Sequence, residues 1–277
     1  MGGVELKRMR GNALGAERTI IMGILNVTQD SFSDGGLFFD TESAVARAKE
    51  MIEQGADIID VGGESSRPGA KPVSMQEELR RVLPVVKRLS VEDKVPISVD
   101  TCKPGVAEEC LKAGAMIIND ITGLRDERMI AVASEYDASV IIMHMKGAPE
   151  TMQEAPQYKD AIAEIKAFFS DRIAAAENAG IKRIMLDPGI GFGKTLEHNI
   201  EIMRRLPEFK ELGYPLMAGT SRKTFIKKLT DAKTNEELLP GTIATVCLSV
   251  LGGADAVRVH DVWECRKALD IVDALIR

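Results

Sequence analysis

A chain of 277 residues, 45% hydrophobic and 28% charged, has the composition of a globular protein and is long enough for one large domain with a full core. Its net charge of -6 excludes a general attraction to nucleic acid or to an anionic membrane, so an anionic ligand would have to be held by a local cluster of cations. The four cysteines, Cys102, Cys110, Cys247 and Cys265, show neither CxxC nor metal-ligand spacing, which points to free thiols in a reducing, cytoplasmic compartment.

Met1 to Arg18 is polar and charged and does not read as a signal peptide. Strand-like apolar runs then recur, each ending in polar or glycine residues: Thr19–Leu25 before Asn26, Asp57–Val61 before Gly62, Pro96–Val99 before Asp100, and Ala115–Ile118 before Asn119. Four more follow: Ala138–Met143 before His144, Arg183–Leu186 before Asp187, Pro215–Ala218 before Gly219, and Asp255–Val257 before Arg258. Being rich in Val, Ile, Leu and Met almost without interruption, they fit parallel strands covered on both faces. Between them lie helical patterns such as Thr41–Gln54 and Ser74–Leu89, the second opening with Ser74 and Glu77 spaced as a capping box.

Gly55, Gly114, Gly180 and Gly253 each close a helix and open a strand, as expected of a left-handed residue just past a helix end. Eight strands alternating with helices in this length predict a single (β/α)8 TIM barrel over residues 1–277, with the active site at the C-terminal rim of the strands. Residues 1–18 are expected to form a small flap over the barrel base. The apolar window Thr242–Val257 is interrupted by Thr, Ser, Gly and Asp255 and falls short of the ~20 residues a membrane span needs, so it reads as a buried helix running into a strand.

The stretch Ile184–Lys194 carries the strongest local signal: an apolar run stops at Asp187, and a glycine-rich loop follows that ends in Lys194. It is not a phosphate-cradling P-loop, because only three residues separate Gly189 from Gly193. Nor is it a dinucleotide fingerprint, since Gly189, Gly191 and Gly193 are spaced G-x-G-x-G. What remains is a strand end, a buried carboxylate and a mobile backbone able to approach a ligand closely.

Two sets of rim residues carry chemistry. Arg67, Lys223, Arg258 and His260 are cations at or just beyond strand ends, and together they could neutralise a diphosphate. Asp100, Asn119 and Asp187 end apolar strands, where an unpaired carboxylate is costly; two carboxylates and an amide suit a flat heterocycle with ring N–H and amino donors. The bland alternatives are solvated surface charge for the cations and loop capping for the acids, the second being our reading of Asp57 and Asp120. The loops 28–36 and 62–69 are rich in Gly and Ser, as lids over a substrate tend to be. His144 reads as a packed rim histidine and His198 as a solvated helix residue.

With these residues assembled, the chain resembles the dihydropteroate synthase family. The resemblance rests on Gly23-Ile-Leu-Asn-Val-Thr-Gln-Asp-Ser-Phe-Ser-Asp-Gly-Gly36, Asp60-Val-Gly-Gly-Glu-Ser-Ser-Arg-Pro-Gly69, Ser98-Val-Asp-Thr101, Ile118-Asn-Asp-Ile121, Leu186-Asp-Pro-Gly-Ile-Gly-Phe-Gly-Lys194, Gly219-Thr-Ser-Arg-Lys223 and Arg258-Val-His260. Gln29 and Ser66 depart from the family pattern, which has Pro and Thr there. The resemblance implies condensation of 6-hydroxymethyl-7,8-dihydropterin diphosphate with p-aminobenzoate, in a cytoplasmic homodimer that binds neither nucleic acid nor membrane. It further implies that Asp100, Asn119, Asp187 and Lys223 hold the pterin, lined by Ile121 and Gly219. Ser66, Arg67, Arg258 and His260 would hold the diphosphate, with Mg²⁺ reached by Asn26. Phe32, Pro68, Phe192 and Thr224 would shape the p-aminobenzoate site, and Asp34 would organise the closed loop. The alternatives are the pterin-binding module of a folate-dependent methyltransferase and a non-catalytic pterin- or phosphate-binding barrel. A phosphosugar aldolase or isomerase barrel ranks below these.

Overall fold

In the computed structural model, residues 18–28, 36–65, 69–92, 95–149 and 151–276 are described, residues 36–40 by their backbone alone. All eight apolar runs form strands: β1 (Ile20–Asn26), β2 (Ile58–Gly62), β3 (Ile97–Asp100), β4 (Ile117–Asp120), β5 (Ser139–Met143), β6 (Ile184–Asp187), β7 (Met217–Ala218) and β8 (Ala256–Val259). Every pairing is parallel, in the order β6-β5-β4-β3-β2-β1-β8-β7. The seam closes between the two ends of that order: Leu186 bridges Leu216, and the Leu186 N–H donates to the Pro215 carbonyl at 2.9 Å. The result is the expected TIM barrel.

Most strands run further toward their C-terminal ends than the apolar runs do. Asn26, Asp100, Asn119 and Asp187 are thus within the ladder rather than after it, with Asp100 opposite Asn119 and Met143 opposite Asp187. A parallel ladder binds through backbone groups, so a polar side chain at the rim leaves the pairing intact.

The helices among the described residues are α1 (Gly36–Glu53), α2 (Met75–Glu92), α3 (Pro104–Lys112), α4 (Glu127–Glu135), α5 (Ala161–Asn178), α6 (Leu196–Arg204), α7 (Thr224–Thr230), α8 (Asn235–Leu251) and α9 (Val262–Ile276). The four strand-opening glycines have φ between +86° and +107°, as the helix-end reading requires. Ser74 Oγ accepts the Glu77 N–H at 3.2 Å, but the Glu77 carboxylate is taken by Arg80 and Arg81, so the predicted capping box is only half formed. The window 242–257 is divided as expected between α8 and β8.

Alternation along the strands separates two apolar layers. Outward residues such as Ile21, Ile59, Val99 and Ile118 pack with the helices in the larger core. Inward residues Ile20, Met22, Ile58, Ile117, Ile141, Met185, Met217 and Ala256 fill the barrel. This plug closes the lower part of the barrel, so whatever the rim binds rests on it. At the base, Asp57 accepts from the Ile21 N–H at 2.8 Å and from Arg266 at 2.6 Å, and it also pairs with Arg18. The flap expected of residues 1–18 lies outside the described residues but for Arg18.

Candidate active site

Above the apolar plug the inward positions turn polar and surround a cavity of about 720 Å³. Its walls include Asn26, Asp100, Asn119, Ile121, Asp187, Phe192, Gly219, Lys223, Arg258 and His260, ten residues singled out from the sequence on six different strands or the loops that follow them. Thr224 instead lines an adjoining cavity of about 630 Å³, which shares Phe192 and Lys223 with the first. Phe32, Asp34, Ser66, Arg67 and Pro68, and with them the lid reading of both loops, lie outside the described residues.

Arg258 projects inward from β8 and joins two carboxylates: its Nε donates to Asp60 Oδ2 at 2.6 Å and an Nη to Asp100 Oδ2 at 2.6 Å. It is therefore a cation held in place and partly neutralised by two carboxylates. Burial works against its charge, yet Asp60 and Asp100 outweigh that and raise its pKa. Lys223 precedes the first turn of α7, its ammonium 4.0 Å from the Phe192 ring centroid. Burial, with Arg258 next, lowers it to about 8 despite the pull of Asp187 and Asp100. The Ser221 hydroxyl lies 3.0 Å from His260 Nδ1 and accepts the His260 backbone N–H at 3.2 Å, fixing the imidazole at the rim.

The acids opposite are held short of full pairing. Burial pushes the Asp100 carboxyl up to about 7; Arg258 pulls it back, while Asp60, Glu78 and Asp120 push further up. Burial also raises Asp187, against the Gly189 N–H, which donates to its Oδ1 at 2.7 Å, and the charges of Lys223, Arg258 and Lys194. A ligand that brings donors to Asp100 and Asp187 would restore what burial took from them.

The glycine loop departs from expectation. Gly189, Gly191 and Gly193 all have positive φ, but a Cβ at Gly189 would meet the His144 carbonyl at 1.9 Å and one at Gly193 the Lys146 carbonyl at 2.2 Å. The freedom of Gly189 and Gly193 is used for close packing against the residues after β5, while Gly189, Ile190 and Phe192 line the cavity as the close approach to a ligand requires. Lys194 is buried, with its Nζ 2.9 Å from the Phe192 carbonyl, 3.2 Å from the His144 carbonyl and 3.1 Å from His144 Nδ1. Burial lowers it to about 7, so it pins the loop and is no solvated phosphate-binding cation. His144 is packed, as expected, and burial, then the Lys194 charge, depresses it to about 2. His198 is not a solvated helix residue: its Nδ1 accepts the Thr195 N–H at 3.2 Å, and its own N–H returns the bond to Thr195 Oγ1. Asp120 caps its own loop by accepting from Thr122 and Leu124.

Asp60, absent from the sequence-derived set, proves central, because it accepts from both Arg258 and Asn119. The available signal was an acid inside the apolar run of β2, at an inward position two residues after Ile58. Among the described residues no group of three or more His, Cys, Asp or Glu could hold a metal.

A family model described as pterin binding enzyme matches residues 22–260. The chain is 48% identical over 264 residues to a dihydropteroate synthase of Synechocystis sp., covering 94% of this chain and 91% of the relative. It is 47% identical over 269 residues to that of Escherichia coli, covering 96% and 95%. Among solved structures, dihydropteroate synthase of Clostridium difficile in the presence of pteroic acid superposes with a TM-score of 0.89 at 52% identity, over 94% of this chain and 97% of that one. That of Xanthomonas albilineans with 4-aminobenzoic acid gives 0.88 at 44% identity, over 93% of each. By its motifs, its barrel and its relatives, this chain belongs to the pterin-binding enzyme family, among the dihydropteroate synthases.

Proposed function

We propose that the rim cavity joins 6-hydroxymethyl-7,8-dihydropterin diphosphate to p-aminobenzoate, releasing diphosphate and 7,8-dihydropteroate. The observation that carries this reading is one cavity lined by the acids and amide Asp100, Asn119 and Asp187 together with the cations Lys223 and Arg258 and with His260. The first group suits the donor edge of a pterin, and the second suits an anionic leaving group. Relatives matched over nearly their whole length carry this activity in their names, which favours it over a methyltransferase module.

In the mechanism the bond from the pterin methylene to the diphosphate oxygen breaks with its electron pair leaving on oxygen. The ring-stabilised cation is attacked by the aryl amine, which forms the new C–N bond and releases one proton. Arg258, His260 and the diphosphate ligands assigned by resemblance, Ser66 and Arg67, neutralise the departing charge. Lys223 and Phe192, shared by both cavities, set the boundary at which pterin and amine meet, with Thr224 on the amine side. By the same resemblance, Phe32 and Pro68 are assigned to the p-aminobenzoate side and Asp34 to organising the loop that carries it.

Asn26 offers an amide oxygen of the kind Mg²⁺ takes, and it fits an ion whose other ligands are phosphate oxygens and water. When bound there, Mg²⁺ would supply charge neutralisation to the diphosphate. A homodimer is supported by the apolar residues exposed on α8 and α9, among them Leu248, Leu251, Trp263, Ile271 and Leu275. No described helix is long and apolar enough to cross a membrane. The free cysteines support a cytoplasmic enzyme.

Diphosphate release from the dihydropterin diphosphate with Mg²⁺, measured with and without p-aminobenzoate, tests the reading. Release that depends on p-aminobenzoate and yields dihydropteroate is expected. Pterin binding without turnover would reject it in favour of a methyl-transfer or binding module.

A further inference from the structure

Asp60 is completely buried on the inward face of β2 and is not part of the cavity wall. Both of its protein donors converge on one oxygen: Arg258 Nε at 2.6 Å and Asn119 Nδ2 at 2.9 Å meet Oδ2. The other oxygen, Oδ1, has no donor among the described residues. A buried carboxylate with one oxygen unpaired is destabilising, whereas the inward layer next to it is Ile, Met and Ala. Packing therefore gives no reason for an acid at this position, and the reason must lie in what it does to Asn119 and Arg258.

We infer that Asp60 is a positioning residue that decides which end of the Asn119 amide a ligand meets, and so makes the pocket select a ring edge that donates. This rests on the assignment of a pterin to the cavity. A carboxylate paired with a guanidinium can only accept hydrogen bonds, so Asn119 must turn its NH₂ toward Asp60. Its carbonyl oxygen is then turned away from Asp60 toward the cavity that Asn119 lines, with one amide proton held by Asp60. With Asp100 and Asp187 ionised, the wall presents acceptors at three places, matching amino and ring N–H donors and refusing a ring that brings carbonyl oxygens there. Without that lock an asparagine can present either end, and the discrimination weakens. In Asp60→Leu no acceptor faces the Asn119 NH₂ while Arg258 keeps Asp100, which lets the Asn119 amide turn over.

The test is a titration of wild type and Asp60→Leu with 6-hydroxymethylpterin and with its 2,4-dioxo counterpart, in which the amino donor is replaced by an oxygen acceptor. The ratio of the two affinities should fall about tenfold or more in the variant, the scale of one misplaced buried polar contact. A role confined to structure would weaken both ligands by a common factor, and an unchanged ratio overturns the inference. Should wild type bind neither ligand, the pterin assignment itself fails, an outcome distinct from an unchanged ratio in a protein that binds. Should the variant not fold, wild type selectively labelled with ¹⁵N-asparagine decides the matter. The Asn119 side-chain amide protons should be protected from exchange before any ligand is added; protection that arises only on pterin binding would show the NH₂ facing the ligand and overturn the inference.

Discussion

At the base of the barrel, Asp57 is met by Arg266, Arg18 and the Ile21 N–H, and Asp273 accepts the N–H and hydroxyl of Thr19 at 2.7 and 2.6 Å. Arg266 also donates to the Thr19 carbonyl at 3.1 Å, tying α9 to the start of β1. At the rim the same residue types are gathered without that saturation. Asp100 and Asp187 are raised by burial, Lys223 lowered by it, and Asp60 has an oxygen with no donor among the described residues. Charged groups at the base hold elements together, whereas those at the rim are kept under-solvated and under-paired for a ligand to complete. That contrast separates a structural cluster from a functional one better than residue identity does.

The sharpest way to break the comparison is to remove one charge from each end. Arg258→Ala should lower kcat by about 10²–10³-fold, the effect of losing one preorganised charge at a leaving group, and a change in KM alone would refute that role. Asp57→Ala at the base should do the reverse. It leaves Arg266 buried without its carboxylate and should destabilise the fold by about 3–5 kcal/mol in urea unfolding, with kcat of the folded enzyme within about twofold of wild type.

A pH series sharpens the contrast. The Asp100 carboxyl is raised from 3.8 to about 7, so its contribution to stability is fully present below about 3.8 and is lost as pH rises through about 7. The Tm of the unliganded protein should carry a downward component from about pH 4 to about pH 7 that Asp100→Asn removes. Pterin affinity should rise over the same interval, because the ionised form is the acceptor; affinity falling with pH would contradict the assignment. The smallest effect is expected at Thr195, whose hydroxyl accepts the His198 N–H at the start of α6. Thr195→Ala should cost about 1 kcal/mol of stability and leave KM for both substrates unchanged, since this rim residue only caps a helix.

The sequence by itself determined the barrel and the identity of most of its rim. Eight apolar runs, each ending at a polar residue or glycine, fix strands and their direction, because a parallel strand covered on both faces must be apolar until it reaches the rim. Four glycines at helix ends had to adopt a left-handed backbone, and they do. Asp100, Asn119, Asp187 and Arg258 could be named because a polar side chain ending such a run is costly unless it is used. What only the tertiary structure decided is which of these groups meet. Arg258 reaches Asp60 and Asp100 across 198 and 158 residues of chain, from β8 to β2 and β3, strands that do not pair with it but face the same barrel interior. Lys194 looks in sequence like a loop cation facing solvent, yet folding the glycine loop against the residues after β5 buries it beside His144. Periodicity is a property of neighbours along the chain, so it specifies faces and ends. Pairing, desolvation and the resulting charge states depend on distances between strands, and those exist only once the barrel is closed.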